Sequence, residues 1–239
     1  MSEFYSHYAT RPRNGLGVRV KRRIAEKIIR DAALPPSARV FELGPGDGDI
    51  ADLMHEGGHS YSAMDASPGV VAELRRRGHE VVEGFAPHIP ASARALDAVF
   101  CMHVIEHMSQ SDVHDFLVTL RERLNPQARV VIATPDFARW GHHFYDSDYT
   151  HCWPFTGRKL KQTLEAAGFT VVVERLQVGP LFGLKWAWIG WLAKTCFTPT
   201  VQDFLRRHLR NDIASRAFLT ILPNLVFTAK ALPGRPGSA

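Results

Sequence analysis

The fold class that this 239-residue sequence predicts is a doubly wound α/β sheet of seven strands, six parallel and the last antiparallel, with helices on both faces. Three observations predict it. The apolar run 40–43 passes through alternate glycines, Gly44, Gly46 and Gly48, into the helical pattern Ile50-Ala51-Asp52-Leu53-Met54. A second run, Tyr61-Ser62-Ala63-Met64, ends in the acid Asp65 and is followed by Ser67-Pro68, an N-cap and a first-turn proline. Strand-like runs then recur at 79–83, 96–101, 128–134 and 169–178 with helical stretches between them, the alternation that builds a parallel sheet.

Hydrophobic content of 45% and charged content of 22% fit one globular domain. The expected organisation is a lead-in helix within 1–35, a main domain over 36–232 with a helical insertion at 180–222, and a disordered tail at 233–239. The net charge of +5 comes mostly from arginines scattered along the chain, with clusters at 19–23, 75–77 and 206–210; a basic balance can mean nucleic acid, an anionic membrane or an anionic substrate, but such clusters are usually solvated helix faces. Three cysteines without C-x-x-C pairing suggest neither a disulfide framework nor a zinc knuckle. The first residues lack a basic and an apolar signal region, so a cytoplasmic location is expected.

In chain order, residues 16–33 carry Val20, Ile24, Ile28 and Ile29 at helical spacing and stop at Leu34-Pro35-Pro36. Tyr5, Tyr8 and the arginines near position 20 could fold over a bound ligand, or the helix could simply cover the surface. The glycine turn lets the backbone take left-handed dihedrals and lets a ligand lie on main-chain N–H groups at a helix N-terminus. Its order, acidic-x-G-x-G-x-G from Glu42 through Gly48, together with Asp65, resembles the first two motifs of class I S-adenosylmethionine-dependent methyltransferases. A dinucleotide fingerprint would instead need its third glycine where Asp49 stands.

The resemblance implies S-adenosylmethionine as cofactor and S-adenosylhomocysteine as product. It implies that Glu42, Gly44 and Gly46 form the glycine turn, that Asp65 grips the ribose hydroxyls beside Ala66, and that Gly84 and Phe85 line the adenine. Where the family often has an aspartate for the adenine amine, this chain has Phe85 or Glu83, which leaves that contact to backbone groups and apolar surface. Met102 and His103 follow the fourth strand and are expected to face the cofactor. The next residues, Val104-Ile105-Glu106-His107, resemble the V-L-E-H segment of small-molecule methyltransferases, including those of ubiquinone biosynthesis. The [DN]-P-P-[YF] motif of methyltransferases acting on DNA or glutamine amines is absent. His103, Glu106 and His107 could converge on a divalent ion, but a glutamate and a histidine at a helix start also pack and cap, and no metal is assigned.

A helix over 111–124 should lead through Asn125-Pro126 into the fifth strand, and residues 135–155 then form a long aromatic, histidine-rich connection. Its T-P-[DN]…D-x-x-H-x-x-P-F pattern resembles methyltransferases tied to surface-polysaccharide, lipid and secondary-metabolite modification. Asp148 and His151 are therefore acid–base candidates: His151 is preferred as proton acceptor, His107 comes second, and Asp148 orients the imidazole or the substrate. A purely structural role stands beside each assignment. Thr156 should cap the next helix, Gly168 should close it, and 224–230 should supply the antiparallel last strand.

Between the last two strands, the stretch 181–194 holds three tryptophans and two lysines, too short and too charged for a membrane span, with a basic helix expected near 206–210. This segment, 181–210, could be a substrate lid, a dimer surface, a peripheral membrane contact or a helix packed on the core. The expected function is methyl transfer from S-adenosylmethionine to oxygen of a small-molecule, glycan or lipid-linked acceptor. The alternatives are a nucleic-acid methyltransferase, which the basic charge favours but no N-P-P-Y motif supports, and a catalytically silent cofactor-binding partner subunit.

Overall fold

Side chains on the central strands alternate between two buried faces, as period-two geometry requires of parallel strands covered on both sides. Phe41, Leu43, Val99, Cys101, Val130 and Ile132 face one way, and Val40, Ala98, Phe100, Val131 and Ala133 face the other. Burying each such Val, Ile or Phe stabilises the fold by about 1.5–3 kcal/mol. The computed structural model of the chain describes residues 16–196, 201 and 221–232. The N-terminal tyrosines, the 206–210 cluster and the 233–239 tail lie outside the described residues.

Among the described residues eight strands form one sheet: β1 (Arg39–Leu43), β2 (Ser60–Asp65), β3 (Glu80–Glu83), β4 (Leu96–Met102), β5 (Leu124–Pro135), β6 (Phe169–Val178), β7 (Leu181–Phe182) and β8 (Asn224–Ala231). Their order is β3-β2-β1-β4-β5-β8-β6-β7. Strands β1 to β5 pair in parallel, and β8 runs antiparallel between β5 and β6. The sheet thus has one strand more than expected. After β6 the chain reverses at Gly179-Pro180 and Leu181–Phe182 pairs back on Gln177 and Val178.

The helices α1 (Leu16–Ala32) and α2 (Asp49–Glu56) cover one face through Ala25, Ile28, Ile50 and Met54. On the other face α4 (Gln110–Arg121) and α7 (Gly157–Ala166) bury Val113, Phe116, Leu117, Leu160 and Leu164. Between β2 and β3, α3 (Pro68–Arg76) packs Val70, Val71 and Leu74 against Ala63 and Val81. Side-chain caps fix three starts: Ser67 accepts from the Val70 N–H, Ser109 from Asp112 and Thr156 from Lys159. Ser109 is the cap, and α4 therefore begins and ends a little earlier than its periodicity suggests.

Strand β5 begins at Leu124 rather than after Asn125-Pro126. The Asn125 amide donates to the Ala95 carbonyl and to Asp97, so the expected turn is absorbed into the ladder, with the register shift falling opposite 96–98. The 135–155 connection is also more regular than its composition indicates. It contains α5 (Phe137–Trp140), whose N-cap Asp136 accepts from the Ala138 N–H, and α6 (His143–Ser147). The lead-in helix is no loose flap among the described residues, because Lys21 pairs with Asp47 of the glycine turn and Arg22 with Glu56 of α2.

Candidate active site

The strand order reverses between β1 and β4, and in open α/β sheets ligands gather at that switch point, beyond the carboxyl ends of the strands. The glycine turn leaves β1 there. Gly44 sits at φ +72, donates to the Met64 carbonyl at 2.9 Å, and an added Cβ would lie 2.5 Å from Val104. It is therefore a packing glycine, which lets the loop after β4 close on the turn. Gly46, at φ +51, has nothing within 4 Å of such a Cβ and presents open backbone on the outer side.

Asp65 ends β2 beside this turn. Its Oδ1 accepts from the Ser67 N–H at 2.8 Å, and Oδ2 lies 3.4 Å from the Gly46 N–H. Burial raises its carboxyl above the ordinary range, against the lowering effect of these backbone donors. Ala66 is half-buried next to it, and Gly84 donates to the Asp65 carbonyl at 3.0 Å, so the loop after β3 joins the same edge. Phe85 and Met102 are half-buried there while Glu83 is exposed. His103 takes φ +57, rare for a residue with a Cβ, and its N–H donates to the Ala133 carbonyl at 2.8 Å.

Behind the turn lies a polar cluster that sequence reading did not reveal. Arg77 donates to the Asp47 and Gly48 carbonyls and pairs with Asp52, whose carboxylate also holds His79 at 2.9 Å. Tyr61 donates to Glu42 at 2.6 Å. Glu42 is buried, and desolvation, despite the Tyr61 hydrogen bond, pushes its carboxyl up to about 8, with Asp65 and Asp49 adding to the rise. Between the ordinary 4.5 and about 8 the folded chain therefore keeps a proton on Glu42 that the unfolded chain has released, so the Glu42 contribution to stability falls as pH rises across that window. We expect Glu42→Gln, neutral at every pH, to flatten that decline. Thermal midpoints of the cofactor-free protein from pH 5 to about 8.5 would read this; an unchanged slope in the variant would refute it.

The loops after β4 and β5 bring the histidines together. A 3₁₀ turn, Ile105–His107, carries Glu106 and His107, and the Glu106 carbonyl accepts from the Cys152 and Trp153 N–H groups at 2.9 and 3.1 Å. The imidazoles of His107 and His151 then stand 4.9 Å apart between ring centroids. Thr150 donates its hydroxyl to Asp148 at 2.5 Å, since a carboxylate only accepts. The Thr150 oxygen must therefore accept from His107 Nδ1–H, 2.7 Å away, which leaves His107 Nε2 with its lone pair. His151 Nδ1–H donates to the Phe144 carbonyl at 2.6 Å.

Glu106 is fully buried. Its Oε2 accepts from Thr134 at 3.1 Å, and Oε1 lies 3.3 Å from His103 Nδ1, an ion-pair contact without the angle of a hydrogen bond. Burial raises its carboxyl, but His103 and His107 outweigh that and hold it below the ordinary range. Burial holds the His107 imidazole below its ordinary value, the His151 ring reinforcing this and the carboxylates of Glu106 and Asp148 opposing it.

Two expectations change here. Asp148 orients His107 through Thr150 rather than His151, whose Nδ1 is taken by a backbone carbonyl. Among the described residues the group whose ligand atoms converge within 4.8 Å is Glu106, His107 and His151, not His103, Glu106 and His107: the 150s loop folds over the turn, and His103, although its Nδ1 lies 3.3 Å from Glu106 Oε1, is not in that group. Thr150 and Thr134 were not singled out by sequence, since only the fold reveals what their hydroxyls touch.

Residues 17–174 match the family described as "Methyltransferase domain". The chain belongs to that family. Among known proteins, this methyltransferase-family chain is 28% identical over 116 residues to the mitochondrial ubiquinone biosynthesis O-methyltransferase of Schizosaccharomyces pombe, a match covering 45% of the chain. The match spans 42% of that relative's length. A SAM-dependent methyltransferase from Archaeoglobus fulgidus superposes with a TM-score of 0.58 at 20% identity, covering 87% of this chain and 92% of its own. The CcbJ methyltransferase from Streptomyces caelestis gives 0.59 at 16% identity, covering 88% and 90%. The [4+2]-cyclase SpnF gives 0.63 at 14%, covering 95% and 86%, so the shared architecture alone does not dictate the reaction. For this methyltransferase-family chain the residues suit S-adenosylmethionine: Gly46 offers open backbone beside the Asp65 carboxylate at the switch point.

Proposed function

We propose that this chain transfers the methyl group of S-adenosylmethionine to a hydroxyl of a small-molecule, glycan or lipid-linked acceptor. The cofactor, when bound, supplies an electrophilic methyl carbon on its sulfonium. Gly46 would receive it on the backbone of the turn that Gly44 lets pack, Asp65 would hold the ribose hydroxyls beside Ala66, and Gly84, Phe85, Met102 and His103 would border it. The chain's own work is then to align the acceptor and take up its proton.

The observation that carries the reading is the Asp148–Thr150–His107 hydrogen-bond chain, which places the His107 proton on Nδ1 and leaves Nε2 as the acceptor beside the His151 imidazole. A base of near-neutral pKa suits an alcohol acceptor, whereas a carboxylate alone is too weak. The O-methyltransferase match over part of the chain supports oxygen as the target. A second reading has one observation behind it: the convergence of Glu106, His107 and His151 offers mixed oxygen and nitrogen donors to a divalent ion.

The test is transfer of labelled methyl from the cofactor into a cell-extract metabolite pool, a lipid pool and an RNA pool. We expect label on oxygen in the metabolite or lipid pool, unaffected by chelator. Label confined to RNA would favour nucleic-acid methylation, and cofactor binding without any transfer would favour a silent partner subunit. Activity abolished by chelator and restored by a divalent ion would favour the metal reading.

A further inference from the structure

The helix α8 (Ala187–Cys196) is built the wrong way round for a core helix. Its small residues face inward: Gly190 is buried where a Cβ would lie 2.6 Å from Pro223, and Ala193 packs with Trp140, Phe144 and Leu222. Three of its large apolar residues face outward, while Ile189 packs on the core. Trp188, Trp191 and Leu192 are 56%, 67% and 45% exposed, and Leu184, in the 3₁₀ turn before the helix, is 69% exposed. Positions 184, 188, 191 and 192 follow helical spacing, so they form one stripe rather than scattered exceptions.

The chemistry around the stripe says what covers it. Residues 181–201 contain Lys185 and Lys194 and no acid, and the stretch 202–212 that follows in sequence holds Arg206, Arg207 and Arg210 against Asp203 and Asp212. A second copy of this chain would bring the same positive charge to the contact, which like charges disfavour. An anionic lipid surface answers both features, since tryptophan sits at headgroup level and lysine pairs with the negative leaflet. Over its described residues the helix runs for ten residues, about 15 Å, half the roughly 30 Å hydrocarbon layer but enough to lie in its interface. No helix among the described residues is long and apolar enough to cross a membrane.

We propose that α8 docks this protein on anionic lipid surfaces through Leu184, Trp188, Trp191 and Leu192. The docked helix lies directly against the catalytic loop. Phe144, which α8 packs upon, stacks on His151 at 4.5 Å and accepts its Nδ1–H, and Lys194 donates to the Arg139 carbonyl at 2.8 Å. Docking would therefore set the histidine pair close to the headgroup layer, within reach of amphipathic acceptors.

Co-sedimentation of the full chain with phosphatidylcholine–phosphatidylglycerol vesicles, and with phosphatidylcholine alone, tests this. We expect binding to the anionic vesicles that weakens at high salt, and about tenfold or greater loss on replacing Trp188→Ser and Trp191→Ser together. Cofactor affinity should be unchanged in that variant, which separates docking from the methyl-transfer reading. Brominated lipids should also quench the unmodified protein's tryptophan fluorescence, a readout that needs no variant. Absence of binding or quenching, equal binding by the double variant, or a dimer that the double variant dissolves would overturn the proposal, the last by making the stripe a contact between copies.

Discussion

Replacing His107 by alanine is expected to lower kcat by about 10²- to 10⁴-fold with little change in cofactor affinity. The expectation rests on where the proton of the acceptor can go. His107 Nε2 keeps its lone pair because Nδ1–H is bonded to Thr150, whose own hydroxyl is committed to Asp148. Thr150 and Asp148 are positioning residues: Thr150→Val and Asp148→Asn should each lose part of the same factor in kcat while leaving KM for the cofactor in place. His151→Ala shows whether the two imidazoles share the role; a smaller loss there than in His107→Ala assigns the proton to His107. The pH profile supplies the independent readout. Burial holds His107 below its ordinary value, so activity should rise with pH through an apparent pKa below about 6.5 and be flat by neutrality. Full activity in both histidine variants would mean that alignment alone suffices and would sink the base assignment.

The second large effect concerns Asp65. Losing two charge-assisted hydrogen bonds to the ribose, each about 1.5–3 kcal/mol at most, should weaken S-adenosylmethionine and S-adenosylhomocysteine binding tenfold or more in Asp65→Ala. Asp65 also accepts from the Ser67 N–H at the start of α3 and lies near the Gly46 N–H, so part of the loss in alanine could come from a loosened turn. Asp65→Asn keeps the shape and one acceptor oxygen, and isolates the charge. Calorimetric titration of both variants, alongside their thermal midpoints, separates the contributions. Unchanged affinity in either folded variant would remove Asp65 from the cofactor site.

The cofactor half of the molecule was legible because its signals are local. A strand, a glycine turn and a helix N-terminus occupy consecutive residues, and an acid at the next strand end needs only the parallel register to arrive beside them. The acceptor half was legible only as a set of residue types. That His107 and His151 meet follows from two loops leaving neighbouring strands, but which histidine Asp148 serves depends on the Thr150 hydroxyl, a contact with no sequence period. The Tyr61–Glu42 bond crosses two strands and was equally hidden. For 181–194 the apolar residues were visible and their direction was not. Periodicity finds a stripe, and only packing decides whether Gly190 and Ala193 or the tryptophans turn inward.

The chain leaves β6 just past Gln177 and re-enters the sheet at Asn224 of β8, and these two residues are paired, although the segment first turns back through β7 on the far side of β6. The strands thus hold the flanking residues Gln177 and Asn224 a single ladder spacing apart, whatever lies between. Loop-closure entropy grows only logarithmically, about 0.6 kcal/mol for each doubling of length, so segments of very different size can be spliced between these anchors almost without penalty to the sheet. The Pro223 carbonyl next to the seam accepts from the Asp136 N–H and from the Trp140 indole, so each newly grafted segment would arrive already stitched to the loop that carries His151. Evolution can therefore exchange the segment between β6 and β8 as a cassette while the glycine-turn side of the sheet stays untouched.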